Sequence, residues 1–122
     1  MSAPSRRHVL RQGACAGLGA VLARVGLAQT EPRVIEMVAR RFVYEPSEIP
    51  LRVGERVVVL IRSLDFVHGM NIPDLGQRLD LVPGRVARLE LHPQAPGVLD
   101  FVCDNFCGDG HEEMHGRFVV SA

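Results

Sequence analysis

The sequence predicts an all-β domain folded as a Greek-key β-sandwich. Three observations support this fold class. Short β-rich runs begin at Val34, turn signals separate them at the spacing of sandwich strands, and no window shows sustained helical periodicity. The 122 residues suffice for one domain with a modest hydrophobic core.

The first half of the predicted domain contains an alternating strand and a buried one. Val34–Ala39 alternates apolar with other residues, and Arg41–Tyr44 continues this pattern. A crossing segment follows between Pro46 and Pro50. The next strand contains Val57–Ile61, the longest unbroken apolar run after the N-terminal segment, and it is expected to be a buried central strand.

Turn signals separate the predicted strands of the second half. Val82–Gly84 precedes the half-buried strand Arg85–Leu91, and Pro96-Gly97 precedes the strand Val98–Val102. Arg117–Val120 supplies a closing strand. The total is roughly seven strands, the number typical of a Greek-key sandwich.

The N-terminal segment, residues 1–28, is predicted to be an export signal. Ser5–Arg11 contains paired arginines and resembles a twin-arginine signal, and the small and apolar run Gly13–Ala23 follows it. Small residues before the bond predict cleavage after Ala28. The run is shorter than the roughly 20 residues that span a bilayer. No integral membrane span is therefore expected in the mature protein, although a retained signal would act as a membrane anchor.

Cleavage leaves a short linker, residues 29–33, and a domain at residues 34–122. The signal contains four arginines and no acid, so 10 of the 14 basic residues remain against 14 acidic ones, a net charge of about −4. This balance argues against a nucleic-acid partner. Cys15 leaves with the signal, and the remaining thiols, Cys103 and Cys107, enter an oxidising compartment. They would form a disulfide there unless a metal holds them.

One stretch of twelve residues concentrates ligand-type side chains. Cys103, Cys107, His111 and Met114 follow one another as Cys-x3-Cys-x3-His-x2-Met, with glycines between them that permit tight turns. Thiolate, thioether and imidazole are ligands that copper prefers. His68 follows the predicted central strand through a loop, so a sandwich would bring it to the same end. These residues predict a copper site, and two coppers that share both sulfurs are possible.

The ligand stretch resembles the binuclear CuA site of the copper domain in subunit II of haem-copper oxidases, which nitrous oxide reductase also contains. The similarity extends to Ser63–Met70 and Asp80–Arg85 and covers approximately residues 40–120. It implies a cupredoxin-like fold with no catalysis of its own, and periplasmic electron transfer with a c-type cytochrome or an oxidase subunit as partner. The implied copper ligands are His68, Cys103, the backbone carbonyl of Asn105, Cys107, His111 and Met114.

Two of the departures from the resembled family concern the site and its surface. Many members have glutamate where this chain has Asn105, so no magnesium ligand is expected there. The chain also contains no tryptophan, a residue that the family commonly uses at the surface for electron transfer. Of the remaining side chains near the motif, His115 is expected to face solvent, Met70 to pack over the site, and Phe101 and Phe106 to pack in or over the core.

Four alternatives remain open. Cys103 and Cys107 would pair as a plain disulfide in the first. A mononuclear cupredoxin would need only His68, Cys107, His111 and Met114 and would leave one thiol spare. A copper chaperone or metallation factor would need an open, exchangeable site. A catalytic copper enzyme would need an open coordination position with acid–base groups nearby, and no such constellation is visible in the sequence.

Overall fold

The computed structural model describes residues 31–122, together with Gly17 and Gly19. The predicted signal and its cleavage after Ala28 lie outside the described residues, apart from those two glycines. Within residues 31–122 the chain forms nine strands and two short 3-10 helices, Pro73–Leu75 and His111–Glu113. The strands are β1 (Arg33–Arg40), β2 (Val43–Glu45), β3 (Glu48–Arg52), β4 (Val57–Ser63), β5 (His68–Ile72), β6 (Gln77–Leu81), β7 (Ala87–Leu91), β8 (Gly97–Val102) and β9 (His115–Ser121).

The strands form two mixed sheets that enclose one core. The first has the order β2-β1-β4-β7 and the second the order β3-β9-β8-β5-β6. β1 runs parallel to β4, and β3 runs parallel to β9, whereas the other pairs are antiparallel. Consecutive strands share a sheet only in the pairs β1/β2, β5/β6 and β8/β9, so the other connections cross between the layers. The predicted all-β sandwich is confirmed.

Three strands were not predicted as such. The first is β3, which lies in the crossing segment and pairs only with β9 at the edge of its sheet. Pro50 is tolerated in this strand because one side of an edge strand makes no ladder hydrogen bonds. The other two are β5 and β6, which form a hairpin-like antiparallel pair. β5 lacks a period-2 signal because nearly all its residues are buried. His68 follows the loop after β4, as predicted, and is also the first residue of β5.

Aromatic side chains fill the centre of the core. The ring centroids of Tyr44 and Phe118 each lie 5.0 Å from that of Phe101, which has no exposed surface. Gly116 on β9 makes room for this ring, since a Cβ atom there would lie 2.3 Å from Phe101 Cζ. Phe101 therefore packs in the core as predicted, on the strand that leads directly to Cys103.

No helix within the described part of the chain is long and apolar enough to cross a membrane.

Candidate metal centre

Three neighbouring strand ends bring the predicted ligands together. His68 begins β5, Cys103 follows the last residue of β8, and Met114 precedes the first residue of β9. Because β8 runs antiparallel to both neighbours, these three positions lie at the same end of the second sheet. The Cys103 N–H donates to the Met114 carbonyl at 3.0 Å and extends the ladder by one pair. The sheet itself thus positions three of the predicted ligands.

The segment between Cys103 and Met114 is a compact loop shaped by two glycines. Gly108 and Gly110 have φ values of 134° and 110°, a region that other residues rarely adopt. Added Cβ atoms would also lie 3.3 Å and 2.9 Å from the ring of Phe42. Turn hydrogen bonds then lead into the 3-10 helix that begins at His111. The glycines expected to allow tight turns therefore do so, against an aromatic side chain.

The two thiols face each other inside the protein. Cys103 and Cys107 are free, with their sulfur atoms 4.0 Å apart, and both are buried. The structure thus contains two thiols at these positions and not the disulfide that was one alternative. Burial raises the pKa of the Cys107 thiol to about 11, the neighbouring Cys103 adds to the rise, and the charge of Arg41 opposes it. A thiolate here needs a bound cation to offset the cost of burial.

His68 is oriented toward these thiols by a carboxylate. Its Nε2 lies 2.8 Å from Asp65 Oδ1, and its side chain is fully buried. Burial alone would raise the pKa of Asp65, but hydrogen bonds from the Arg41 N–H and from His68 outweigh it and hold the pKa below its ordinary value. An ionised carboxylate only accepts, so Nε2 is the donor to Asp65, and in the neutral ring Nδ1 has the free lone pair.

That lone pair has no partner. Among residues 31–122, His68 Nδ1 is the only buried side-chain nitrogen or oxygen without a hydrogen bond. Ligand atoms of His68, Cys103 and Cys107 all lie within 4.8 Å of one another. An unpaired buried acceptor is costly unless a ligand satisfies it. The orphaned nitrogen beside two soft sulfurs fits copper, and an imidazole held by a carboxylate is the usual arrangement of a metal-bound histidine.

The other predicted ligands surround this group. His111 Nδ1 lies 3.6 Å from Cys107 Sγ, and the Asn105 carbonyl accepts a hydrogen bond from Cys103 Sγ at 3.2 Å. Met114 is buried, whereas His111 is only half-buried. The structure therefore places all six predicted groups at one end of the sandwich, where His111 and Asn105 are half-buried and the other four residues are buried.

The predicted positions of three other side chains near the site, Met70, His115 and Phe106, were only partly correct. Met70 is fully buried in the core, and His115 is exposed, as expected. Phe106 does not pack in the core. Its side chain is 71% exposed and stands with its ring centroid 5.8 Å from that of His111. It lies in the middle of the ligand loop, where the chain turns outward between two buried cysteines.

Several supporting residues gave no clear sequence signal. Asp65 falls three residues before His68, a spacing that alone does not indicate contact. The hydroxyl of Tyr44 on β2 donates to the Gly69 carbonyl at 2.5 Å. Burial raises the pKa of Tyr44, the charge of Cys103 adds to the rise, and the hydroxyl therefore stays protonated. Only the assembled sandwich brings these side chains to the ligands.

An ion pair between Arg78 and Asp104 fixes the start of the ligand loop, directly after Cys103. Asp104 accepts from Arg78 Nε at 2.7 Å and from Arg78 Nη2 at 3.0 Å. These bonds hold the pKa of Asp104 below its ordinary value. The carboxylate lies over Gly69, where an added Cβ would be 1.9 Å from Asp104 Oδ1. The absence of a side chain at Gly69 thus lets the loop approach β5.

Asp65 allows a direct test of the supporting contacts. We expect Asp65→Asn to weaken copper binding about 10- to 100-fold, the usual cost of losing the partner of a metal-bound histidine. The amide cannot accept from His68 Nε2, Arg41 N and Phe66 N as an ionised carboxylate does. Competition against a Cu(I) chelator measures the change. Asp74→Asn, an exposed acid in the first 3-10 helix, is the control, and equal affinities of the two variants would contradict the prediction.

The fold and donor set define a class: a β-sandwich domain with a soft-metal centre at one end. The family described as cytochrome c oxidase subunit II, periplasmic domain, matches residues 21–121. The chain belongs to this family, as the resemblance implied. The match covers most of the chain, and the site lies inside it.

Individual relatives agree with this assignment. Cytochrome c oxidase subunit 2 of Thermus thermophilus is 30% identical over 96 residues, which are 77% of this chain and 71% of the relative. Alternative cytochrome c oxidase subunit 2 of Bradyrhizobium diazoefficiens is 34% identical over 80 residues, 66% of this chain. A chain from the cryo-EM structure of a heme-copper terminal oxidase dimer superimposes with a TM-score of 0.67 at 30% identity, over 77% of this chain and 68% of that one. The present chain spans only 29% of the Bradyrhizobium relative.

Proposed function

We propose that this domain is a periplasmic electron-transfer protein with a binuclear copper centre. The observation that carries the proposal is the pair of free thiols, 4.0 Å apart, beside a buried histidine whose Nδ1 has no partner. Two copper ions would be held by His68, Cys103, the Asn105 carbonyl, Cys107, His111 and Met114. A copper pair bound by these residues would accept and release one electron, with the charge change spread over both metals.

The residues of the chain would keep this centre rigid and dry. Buried positions for His68, both cysteines and Met114 exclude water from one side. Attachment to three adjacent strand ends limits how far any ligand can move when the charge changes. Since His111 is half-buried and Phe106 is exposed beside it, we infer that a partner approaches the site at this surface.

The proposed partner is another redox protein, either a c-type cytochrome or an oxidase subunit. Membership in the subunit II family supports it. The surface beside His111 also has exposed acids at Asp109, Glu112 and Glu113. Together with the net charge of about −4 after signal removal, these acids favour a partner with a basic face.

The number of coppers tests the function directly. We expect the reconstituted protein to contain two coppers per chain, and its EPR spectrum to show hyperfine splitting from two equivalent nuclei. One copper with a mononuclear spectrum would contradict the proposal and favour a mononuclear cupredoxin. Rapid loss of copper to a competing apo-protein would favour a chaperone instead.

Export by the twin-arginine route is part of the proposal, with cleavage after Ala28. We expect the double substitution Arg6→Lys and Arg7→Lys to remove most of the protein from the periplasmic fraction, because the paired arginines are the recognised feature of such signals. Arg24→Lys is the matched control. Periplasmic accumulation equal to that of the control would contradict the route. Mass spectrometry of the exported protein gives the cleavage position.

A further inference from the structure

Arg41 connects the two segments that contain the predicted copper ligands. It lies between β1 and β2, outside both segments. Its backbone N–H donates to Asp65 Oδ2 at 2.8 Å, and Asp65 in turn accepts from His68. Its side-chain Nε–H donates to the Cys107 carbonyl at 2.9 Å. One residue thus joins the histidine segment to the cysteine loop.

The guanidinium is held in place over the site by an aromatic ring. Arg41 Cζ lies 4.6 Å from the centroid of the Phe66 ring, close enough for a cation–π contact. Phe66 belongs to the turn that leads into His68, so the ring fixes the direction of the Arg41 side chain. The carbonyl bond and the ring together restrict a side chain that would otherwise move freely in solvent.

Within the described residues the Arg41 guanidinium forms no direct ion pair, and the Asp65 carboxylate contacts only its backbone N–H. Arg78, on the other side of the ligand loop, is paired with both Asp80 and Asp104. Unlike Arg78, Arg41 therefore has a charge beside the ligand loop that no direct ion pair offsets.

We propose that Arg41 is a positioning residue that clamps the two ligand segments together and raises the reduction potential of the copper centre. This inference rests on the proposed function. Reduction adds one electron, so a fixed positive charge nearby favours the reduced form. The clamp acts on the protein alone and holds whether or not metal is bound.

Two substitutions separate the charge from the clamp. Arg41→Gln removes the charge and the guanidinium bond, whereas Arg41→Lys keeps the charge but not the planar Nε–H donor. Arg40→Gln is the matched control, since it changes the net charge equally one residue away, where Arg40 pairs with Glu45. All three leave the backbone N–H bond to Asp65 in place.

The midpoint potential measures the effect of the charge. We expect Arg41→Gln to shift the electron-exchange equilibrium with a reference couple about twofold to tenfold toward the oxidised centre. A tenfold shift in a one-electron couple corresponds to about 59 mV. Arg41→Lys and Arg40→Gln should stay close to wild type. Arg41→Lys keeps the positive charge at this position, and the charge of Arg40 is already paired with Glu45 and screened by solvent.

The rate of thiol labelling measures the clamp in the apoprotein. Cys107 is buried, so a thiol reagent reaches it only when the loop opens. We expect labelling about threefold to tenfold faster in Arg41→Gln and Arg41→Lys than in wild type or Arg40→Gln, the consequence of losing one hydrogen bond. The proposal is overturned if Arg41→Gln has the potential of Arg40→Gln, or if its thiols react no faster than those of wild type. Failure of the proposed function is visible separately, as a wild-type copper content other than two.

Discussion

Cys103→Ser is expected to abolish the binuclear centre. Cys103 and Cys107 face each other across 4.0 Å, and in the proposed centre each thiolate bridges both coppers. A serine hydroxyl is a poor ligand for soft copper, so one bridge is lost and the shared pair cannot form. We expect the copper content to fall from two to one or fewer, and the two-nucleus hyperfine pattern to disappear. Metal analysis and EPR on the reconstituted variant provide the measurement.

The companion variant Cys107→Ser makes this result decisive. A binuclear centre predicts similar losses in both variants because the sulfurs are equivalent bridges. A mononuclear site predicts loss only in Cys107→Ser and little change in Cys103→Ser. A serine at 103 can still donate to the Asn105 carbonyl, as the thiol does now, so the apoprotein fold should persist. Cys103→Ser protein with unchanged copper content and spectrum would exclude the two-copper site.

Phe101→Ala is expected to cause the largest loss of stability. The Phe101 ring is fully buried between Tyr44 and Phe118, with both centroids 5.0 Å away, and Gly116 closes over it. Truncation removes the transfer energy of the ring and leaves a cavity that the two sheets cannot fill. We expect the free energy of unfolding of the apoprotein to fall by about 3–5 kcal/mol, measured by urea denaturation.

Phe106→Ala is the matched control, since it removes the same side chain from a position that is 71% exposed. Its effect on the free energy of unfolding should lie within about 0.5 kcal/mol. If Phe101→Ala does not fold, Phe101→Leu should still fold and show a smaller loss, because leucine leaves a smaller cavity. Equal stabilities of the Phe101→Ala and Phe106→Ala variants would contradict the position of Phe101 in the core.

Local sequence patterns were sufficient for some strands and not for others. The apolar run Val57–Ile61 identified β4, and the alternation from Val34 identified β1, because each pattern reports burial of one strand directly. β5 was not predicted because it is buried along nearly its whole length and includes a glycine and an asparagine. β3 was not predicted because Pro50 argues against a strand unless that strand lies at a sheet edge. The edge position of β3 is visible only in the assembled sheet.

The sequence by itself determined the chemistry of the candidate site: the predicted donor atoms, their order from Cys103 to Met114, and the glycines that let the loop turn. These features are local, so spacing and residue type express them. The tertiary structure alone decided which nitrogen of His68 is left without a partner, because Asp65 bonds the other one. It also decided that Arg41 reaches the Cys107 carbonyl and that Phe106 points outward. Such contacts join residues far apart in the chain, and only the packing of two sheets brings them within bonding distance.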